Sequence, residues 1–342
     1  MTTQVAPSPY SPTIPNFRLA WDSVTLGAYK KCPKYFEYTI LSNWTTRTRS
    51  IHLEFGGLYA AALERYAHAK ASGSSHDEAT LTMVRWALEN SGQRVCSTCH
   101  GAVKVPDTGD FSGCGGDGLD DGMGWIPWLP EGEAASLKNR YTLIRSLVWN
   151  VEDRLGTPFS TLILANGKPA TELSFSFPLM ELGGEEVSYC GHFDEVVEFD
   201  GQMWVKDDKT TKNSLDGNYR QTFTPDNQMS GYTVAGKVVL SLPIRGVLVR
   251  ACQVGVNFNR FATFPVPRPQ AVLDEWTRDA QVWITRARED ALRGFFPLND
   301  RACFGCEFRK VCAVSPSHRD AWLREDFIQR KPWNPLETRG DV

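Results

Sequence analysis

The feature that most constrains this chain is the stretch from Gly191 to Thr211, where two runs of alternating apolar character flank Asp200-Gly201. Asp-Gly between such runs is among the strongest short-range signals for a two-residue β-hairpin. With those residues as the turn, Phe199 faces Gln202, Val196 faces Val205, Glu195 faces Lys206, and Asp194 is set opposite Asp207. The apolar pair and the opposite-charge pair favour this register. The carboxylate pair resists it, because like charges with Cβ atoms roughly 5 Å apart repel unless a cation neutralises them. Side chains alternate with period two, so Lys209 shares a face with Asp207, Asp208 points away, and His192 falls opposite Lys209. Two carboxylates and an ammonium group are therefore expected to converge on one spot. Hard oxygen donors suit Mg²⁺ or Mn²⁺, and a neighbouring lysine can orient a water or offset phosphate charge. Asp-x-Lys as a bare pattern is weak, since a solvated hairpin whose acids never meet carries the same letters.

Around the hairpin the pattern predicts a mixed sheet flanked by helices. Residues 1–16, rich in proline, read as a flexible tail. A short helix from Thr25 is expected to stop at Cys32-Pro33. A second runs from Phe55 to about Ala71, with Ala60 and Glu64 one turn apart. Residues 94–130 are rich in glycine and aspartate and lack any helical or strand period, which marks an inserted loop. Leu137, Tyr141, Ile144, Leu147, Val148, Val151 and Leu155 then trace a long amphipathic helix, and Glu172 to Phe177 alternates as a strand. After the hairpin, Asp226 can cap a helix that projects Gln228 and Tyr232 from one face. Arg245 to Phe258 reads as strand and Gln270 to Arg293 as helix.

The cysteines are the second informative set. They number nine, an odd count, and the amino-terminal residues lack the basic and apolar regions of a secretion signal. A cytoplasmic location is expected, with metal ligation or buried thiols in place of a disulfide framework. No apolar run approaches the roughly 18 residues of a membrane span. Cys303-x2-Cys306-x5-Cys312 has the spacing of metal or cluster ligands, and Cys32 is the best fourth; a zinc site using Cys32 or His318 fits equally well. Cys96, Cys99, His100 and Cys114 could form a small zinc knot in the inserted loop, or remain reduced thiols in a flexible one. Cys190 and Cys252 read as buried strand residues. A net charge of −3 means that any nucleic-acid binding must come from a local basic surface.

Taken in order, Leu26–Tyr38 around Cys32-Pro33, Phe55–Tyr66, Glu172–Thr211, Gln228-x3-Tyr232 and Cys303–Cys312 resemble the RecB-like branch of the PD-(D/E)XK nuclease superfamily. The likeness is to its iron–sulfur members, which include the AddB nuclease domain and the CRISPR-associated adaptation nucleases. The resemblance implies an α/β fold with a restriction-endonuclease-like core whose ends are clamped by a metal cluster. It implies one nuclease domain over residues 17–318, the insertion at 94–130, and a carboxy-terminal extension at 319–342. It further implies a 4Fe–4S cluster on Cys32, Cys303, Cys306 and Cys312, Asp194 and Asp207 as Mg²⁺ or Mn²⁺ ligands, and Lys209 as the catalytic lysine. Gln228 and Tyr232 then line the site and the DNA.

The expected activity is hydrolysis of DNA by a metal-activated water, as a stand-alone bacterial or phage exonuclease acting on single-stranded or resected ends. Recombination, replication or CRISPR-adaptation proteins are the partners such a nuclease works with. One departure stands out. Ala60 occupies the position of the family's metal-binding histidine, which leaves Glu64, at the family's acidic position one turn later, to approach the metal directly or through water. If it does not, the alternative is a catalytically weak DNA-binding or assembly protein that keeps the iron–sulfur fold.

Overall fold

The computed structural model describes residues 7–46, 50–91, 137–157 and 159–337. In chain order they form β1 (Ala20–Trp21), α1 (Ser23–Lys31), α2 (Pro33–Phe36), β2 (Trp44–Thr46), α3 (Ile51–Ala71), α4 (His76–Ser91) and α5 (Arg140–Leu155). Then come β3 (Phe159–Thr161), β4 (Thr171–Leu182), β5 (Glu185–Phe199), β6 (Gln202–Thr211), α6 (Gly217–Gln221), α7 (Asn227–Val239), β7 (Gly246–Val254) and β8 (Asn259–Pro267). The chain continues through α8 (Gln270–Arg293), α9 (Arg309–Ala313), α10 (Arg319–Asp326) and β9 (Phe327–Gln329). The architecture is mixed α/β, with helices on both faces of a mixed sheet ordered β1-β5-β6-β7-β8 and with β3 and β4 also paired to β5. Cys96, Cys99, His100 and Cys114 lie outside the described residues, as does the whole 94–130 insertion.

The hairpin forms in the expected register. Phe199 pairs with Gln202, Val196 with Val205, and Glu195 with Lys206. Asp200 and Gly201 both adopt positive φ, 52° and 67°, as a type I′ turn requires. Beyond β6 the chain crosses through α7 to β7, which pairs parallel to β6 and is buried along its whole length. A strand covered on both faces is mostly apolar and does not alternate, and its buried Arg250 is satisfied by Asn150, Asp153 and Thr263. Asp226 caps α7, its Oδ1 accepting the Met229 N–H at 3.0 Å. Asn139 and Thr142 exchange reciprocal hydrogen bonds to start α5.

Two apolar cores sandwich the sheet. One includes Trp21, Tyr29, Phe175, Tyr189, Phe193, Val205, Tyr232 and Ile284, packed under α1, α7 and α8. The other joins α3, α4 and α5 through Phe55, Ala62, Met83, Leu143 and Val151 to Cys252 and Val254 of β7. Gly191 is required where Phe175 crosses β5, since a Cβ there would lie 2.9 Å from the Phe175 ring.

Several boundaries differ from the sequence reading. Pro33 does not end helical structure; it opens α2 at the first helical position, where a missing N–H costs nothing, and Cys32 forms the joint. α3 starts at Ile51, four residues before the expected Phe55. The strand expected to reach Phe258 ends at Val254, a turn closes with Gly255 N–H donating to Phe258 O at 2.9 Å, and β8 follows. Residues 7–16 are no loose tail: Ile14 is buried, Tyr10 bridges to Arg18, and Ser11 donates to Glu185. The carboxy-terminal stretch returns over this end, with β9 pairing to β2 and Trp333 Nε1 donating to Asp22 Oδ2 at 2.8 Å. Among the described residues no helix is long and apolar enough to cross a membrane.

Candidate active site

The site lies where β5 leaves β6. Their ladder closes at Glu195–Lys206, while further back the same edge of β5 pairs with β1 at Ser188 and Tyr189. Between these segments β5 twists. Phe193 and Val196, three residues apart, face the same core, so the period-two alternation breaks at Asp194. On the other edge Glu172 adopts a left-handed φ of 47°, and the β4–β5 ladder skips it while pairing Thr171 with Glu195 and Leu173 with Phe193. Asp194 and Asp207 are therefore not a cross-strand ladder pair, as the extrapolated register had them. Asp194 reaches into the gap and its Oδ2 accepts the backbone N–H of Asp208 at 3.0 Å. For the same reason His192 does not face Lys209; its Nδ1 lies 3.0 Å from Ser174 Oγ on β4.

The other predicted residues do meet. Lys209 Nζ donates to Asp207 Oδ1 at 2.9 Å and to Gln228 Oε1 on α7 at 3.0 Å, and Gln228 Nε2 donates to Tyr232 Oη at 3.0 Å. The Tyr232 ring stands edge-on to Phe193 and Phe175, centroids 5.6 and 6.0 Å away, which fixes its hydroxyl. The Lys209 side chain is 31% exposed and that of Asp207 2%, so the ammonium group faces the entrance and the carboxylate the floor.

The electrostatics follow from this crowding. Burial and then the Asp207 charge push the Asp194 carboxyl up to about 8, with Lys209 acting the other way. Burial likewise raises Asp207 against the opposing pull of Lys209. Burial alone would lower Lys209, but the Asp207 and Asp194 charges outweigh it and hold the ammonium form.

Ala60 and Glu64 of α3, with Glu172, Asp194 and Asp208, line a cavity of about 10 Å³, near the smallest that holds one water-sized body. Glu64 points toward His68, Oε1 to Nε2 3.6 Å. Whether these residues suit a divalent cation can be judged from the donors. Two buried carboxylates repel each other, and Asp207, 1% exposed, has only the Lys209 ammonium group against its oxygens, 2.9 Å from Oδ1 and 2.6 Å from Oδ2. Two hard carboxylates balanced by a single ammonium group are the donor type that Mg²⁺ or Mn²⁺ takes. Among the described residues no three His, Cys, Asp or Glu side chains are already drawn together as a ligand set.

Two groups behind the site were missed. On the opposite face of the hairpin Lys206 Nζ donates to Glu195 Oε2 at 2.6 Å and to Asp208 Oδ2, while Arg154 Nη2 and Thr161 Oγ1 donate to Glu195 Oε1, the former at 2.7 Å. Only the Glu195–Lys206 pair was visible in the hairpin register; Arg154 arrives from a helix with no local signal. Burial would raise Glu195, but Arg154 and Lys206 hold it down at about 2. Lys138, which precedes α5, is 2% exposed, donates to Thr210 Oγ1 at 2.6 Å and lies 4.2 Å over the Phe55 ring; burial lowers its ammonium to about 8.

The cysteines expected at the two ends of the chain share one neighbourhood. Asn299 N–H donates to Cys32 Sγ at 3.3 Å, and Cys303 Sγ lies 3.8 Å from Asn299 O. Cys306 and Cys312 pack against the small core of Tyr38, Phe308, Val311, Leu323 and Phe327. Burial pushes the Cys312 thiol up to about 11, Arg319 opposes this, and Cys306, Cys32 and Cys303 add to the rise. His318, the other candidate fourth ligand, belongs to a short 3₁₀ turn that leads into α10.

No protein-family model matches the chain. No curated protein matches it either. Among solved structures the chain is similar to one titled "Crystal structure of SSO0001", at 14% identity, over 52% of this chain and 70% of that one, with a TM-score of 0.26. A likeness of that size carries no argument.

Proposed function

We propose that this chain is a metal-dependent deoxyribonuclease with a PD-(D/E)XK-type core, trimming single-stranded or resected DNA from its ends. The observation that carries the reading is the double hydrogen bond of Lys209, to Asp207 on its own strand and to Gln228 on the crossing helix, beside the Asp194 carboxylate. Held by Asp194 and Asp207, Mg²⁺ or Mn²⁺ would supply positive charge against the scissile phosphate and acidity to a bound water.

The chain's own residues do the rest. Lys209 Nζ is held between both Asp207 oxygens and Gln228 Oε1, and its partly exposed ammonium group places positive charge where a water or a phosphate oxygen would approach. Tyr232 holds the Gln228 amide so that its carbonyl, not its NH₂, faces the lysine. Gln228 sits in the first turn of α7, where the positive end of the helix dipole favours an anionic phosphate.

Cys32, Cys303, Cys306 and Cys312 would hold a 4Fe–4S cluster that ties the α1–α2 joint to the segment after α8. Soft thiolates from both ends of the chain are suited to that clamp, and Asn299, which donates to Cys32 Sγ and Lys31 O, holds the two segments side by side. The nuclease assignment is tested by degradation of end-labelled single-stranded DNA with Mn²⁺, wild type against Asp207→Ala.

A further inference from the structure

We infer that Asp208, the spacer between Asp207 and Lys209, is a positioning residue: its side chain is anchored behind the sheet so that its backbone N–H holds the Asp194 carboxylate in place at the site. The inference rests on the nuclease reading above and names the residue that orders one of its two acids.

Three observations support it. Asp208 lies on the face of β6 opposite Asp207 and Lys209, and its side chain is 5% exposed and ion-paired to Lys206, itself 2% exposed. Lys206 is held in turn by Glu195, and Glu195 by Arg154 and Thr161, so the anchor spans α5, β3, β5 and β6. With the carboxylate fixed behind the sheet, the Asp208 N–H points along the sheet edge into the gap left by β5. No ladder carbonyl stands there, because pairing ends at Glu195–Lys206, and Asp194 Oδ2 takes the N–H at 3.0 Å.

That hydrogen bond is what Asp194 needs. Facing Asp207 it is repelled, and a fixed donor keeps one of its oxygens turned toward β6, the strand that carries Asp207 and Lys209. Stability alone does not explain the anchor, since a buried set of two cations and two carboxylates is commonly no more stable than apolar residues of the same volume. Fixing a register is the better-attested use of buried ion pairs, and here the register sets where Asp194 points.

The test compares the full chain with Asp208→Asn, with Lys206→Met/Asp208→Leu, which removes one cation and one acid together, and with Asp194→Asn. Amide hydrogen exchange at position 208 is read without metal, and Mn²⁺ affinity by calorimetry. We expect amide 208 to exchange about tenfold faster in the two Asp208 variants, where the hydrogen bond to Asp194 is loosened, and to change less in Asp194→Asn, whose Oδ1 still accepts. Mn²⁺ affinity is expected to fall about tenfold in the two Asp208 variants. In the Asp194→Asn background Asp208→Asn should weaken affinity no further, because both act on one contact. Unchanged exchange and Mn²⁺ affinity within twofold of wild type in both folded Asp208 variants would overturn the inference, as would additive losses. A wild type that takes up no Mn²⁺ while amide 208 still exchanges faster in the two Asp208 variants would contradict the nuclease reading and support the Asp208–Asp194 coupling.

Discussion

Gln228, in the first turn of α7, accepts a hydrogen bond at 3.0 Å from Lys209 of β6, and this contact joins the crossover helix to the strand that carries Asp207 and Lys209. Removing the acceptor leaves the ammonium group free to swing away from its working position. Gln228→Ala should cost about 2 kcal/mol, as a hydrogen bond to a charged group does, or roughly thirtyfold in kcat/KM. Tyr232→Phe removes only a neutral partner of Gln228 and should cost about 1 kcal/mol. Steady-state kinetics on a single-stranded oligonucleotide rank the two, and an equal or reversed order counts against Gln228 as the lysine's partner.

Asp194 makes the stability of the metal-free protein depend on pH in a definite direction. Its carboxyl is raised from 3.8 in a free chain to about 8 in the fold. Between those values the folded protein holds a proton that the unfolded chain has released, so stability falls as pH rises from about 4 through 8. Thermal melts in a chelator should show Tm declining across that window. Asp194→Asn should flatten the decline and raise Tm at pH 8. Mn²⁺ should stabilise the wild type most at the alkaline end, where the acids are free of protons, and the variant hardly at all.

The sequence carried those parts of the fold that are set by neighbours along the chain. Asp200-Gly201 fixed the hairpin because positive φ at both positions is a local demand, and α8 matched its expected bounds of Gln270 to Arg293 because its apolar face repeats over many turns. Gln228 and Tyr232 were placed together by helical spacing alone. The point where β5 departs from β6 was not legible, because it depends on β1 pairing with Ser188 and Tyr189 from far away in sequence and on the left-handed Glu172. Asp194 thus met Asp208 N–H in place of the expected strand partner. Arg154 behind the site and the packing of residues 7–16 depended in the same way on distant contacts.

Glu195 should prove to be the keystone of the buried ionic cluster. Glu195→Gln leaves Arg154 and Lys206 short of a buried counter-charge and should destabilise the fold by about 3–5 kcal/mol in urea denaturation at pH 7. Its carboxyl is depressed from 4.5 to about 2. Its contribution is therefore complete above about 4.5 and is lost as pH falls through about 2. The gap between wild type and Glu195→Gln should narrow over that acid range; a constant gap would mean the loss is one of packing.

Cys32, Cys303, Cys306 and Cys312 should hold iron and sulfide in about the ratio of one cubane per chain when the protein is purified without oxygen. Cys32→Ser or Cys312→Ser should release the iron and cost more than about 1 kcal/mol, a fall in Tm of about 2–4 °C or more. Zinc without sulfide in the wild type would replace the cluster with a structural zinc site and leave the nuclease assignment intact.

The central claim is that Asp207 and Lys209 perform metal-dependent hydrolysis of DNA. Wild type, Asp207→Ala and Lys209→Ala are incubated with end-labelled single-stranded DNA over a Mn²⁺ and Mg²⁺ titration, with DNA binding measured alongside. The account predicts metal-dependent degradation by wild type alone, with all three proteins binding DNA. Equal degradation by wild type and Asp207→Ala, or binding without degradation by wild type at every metal concentration, would contradict it.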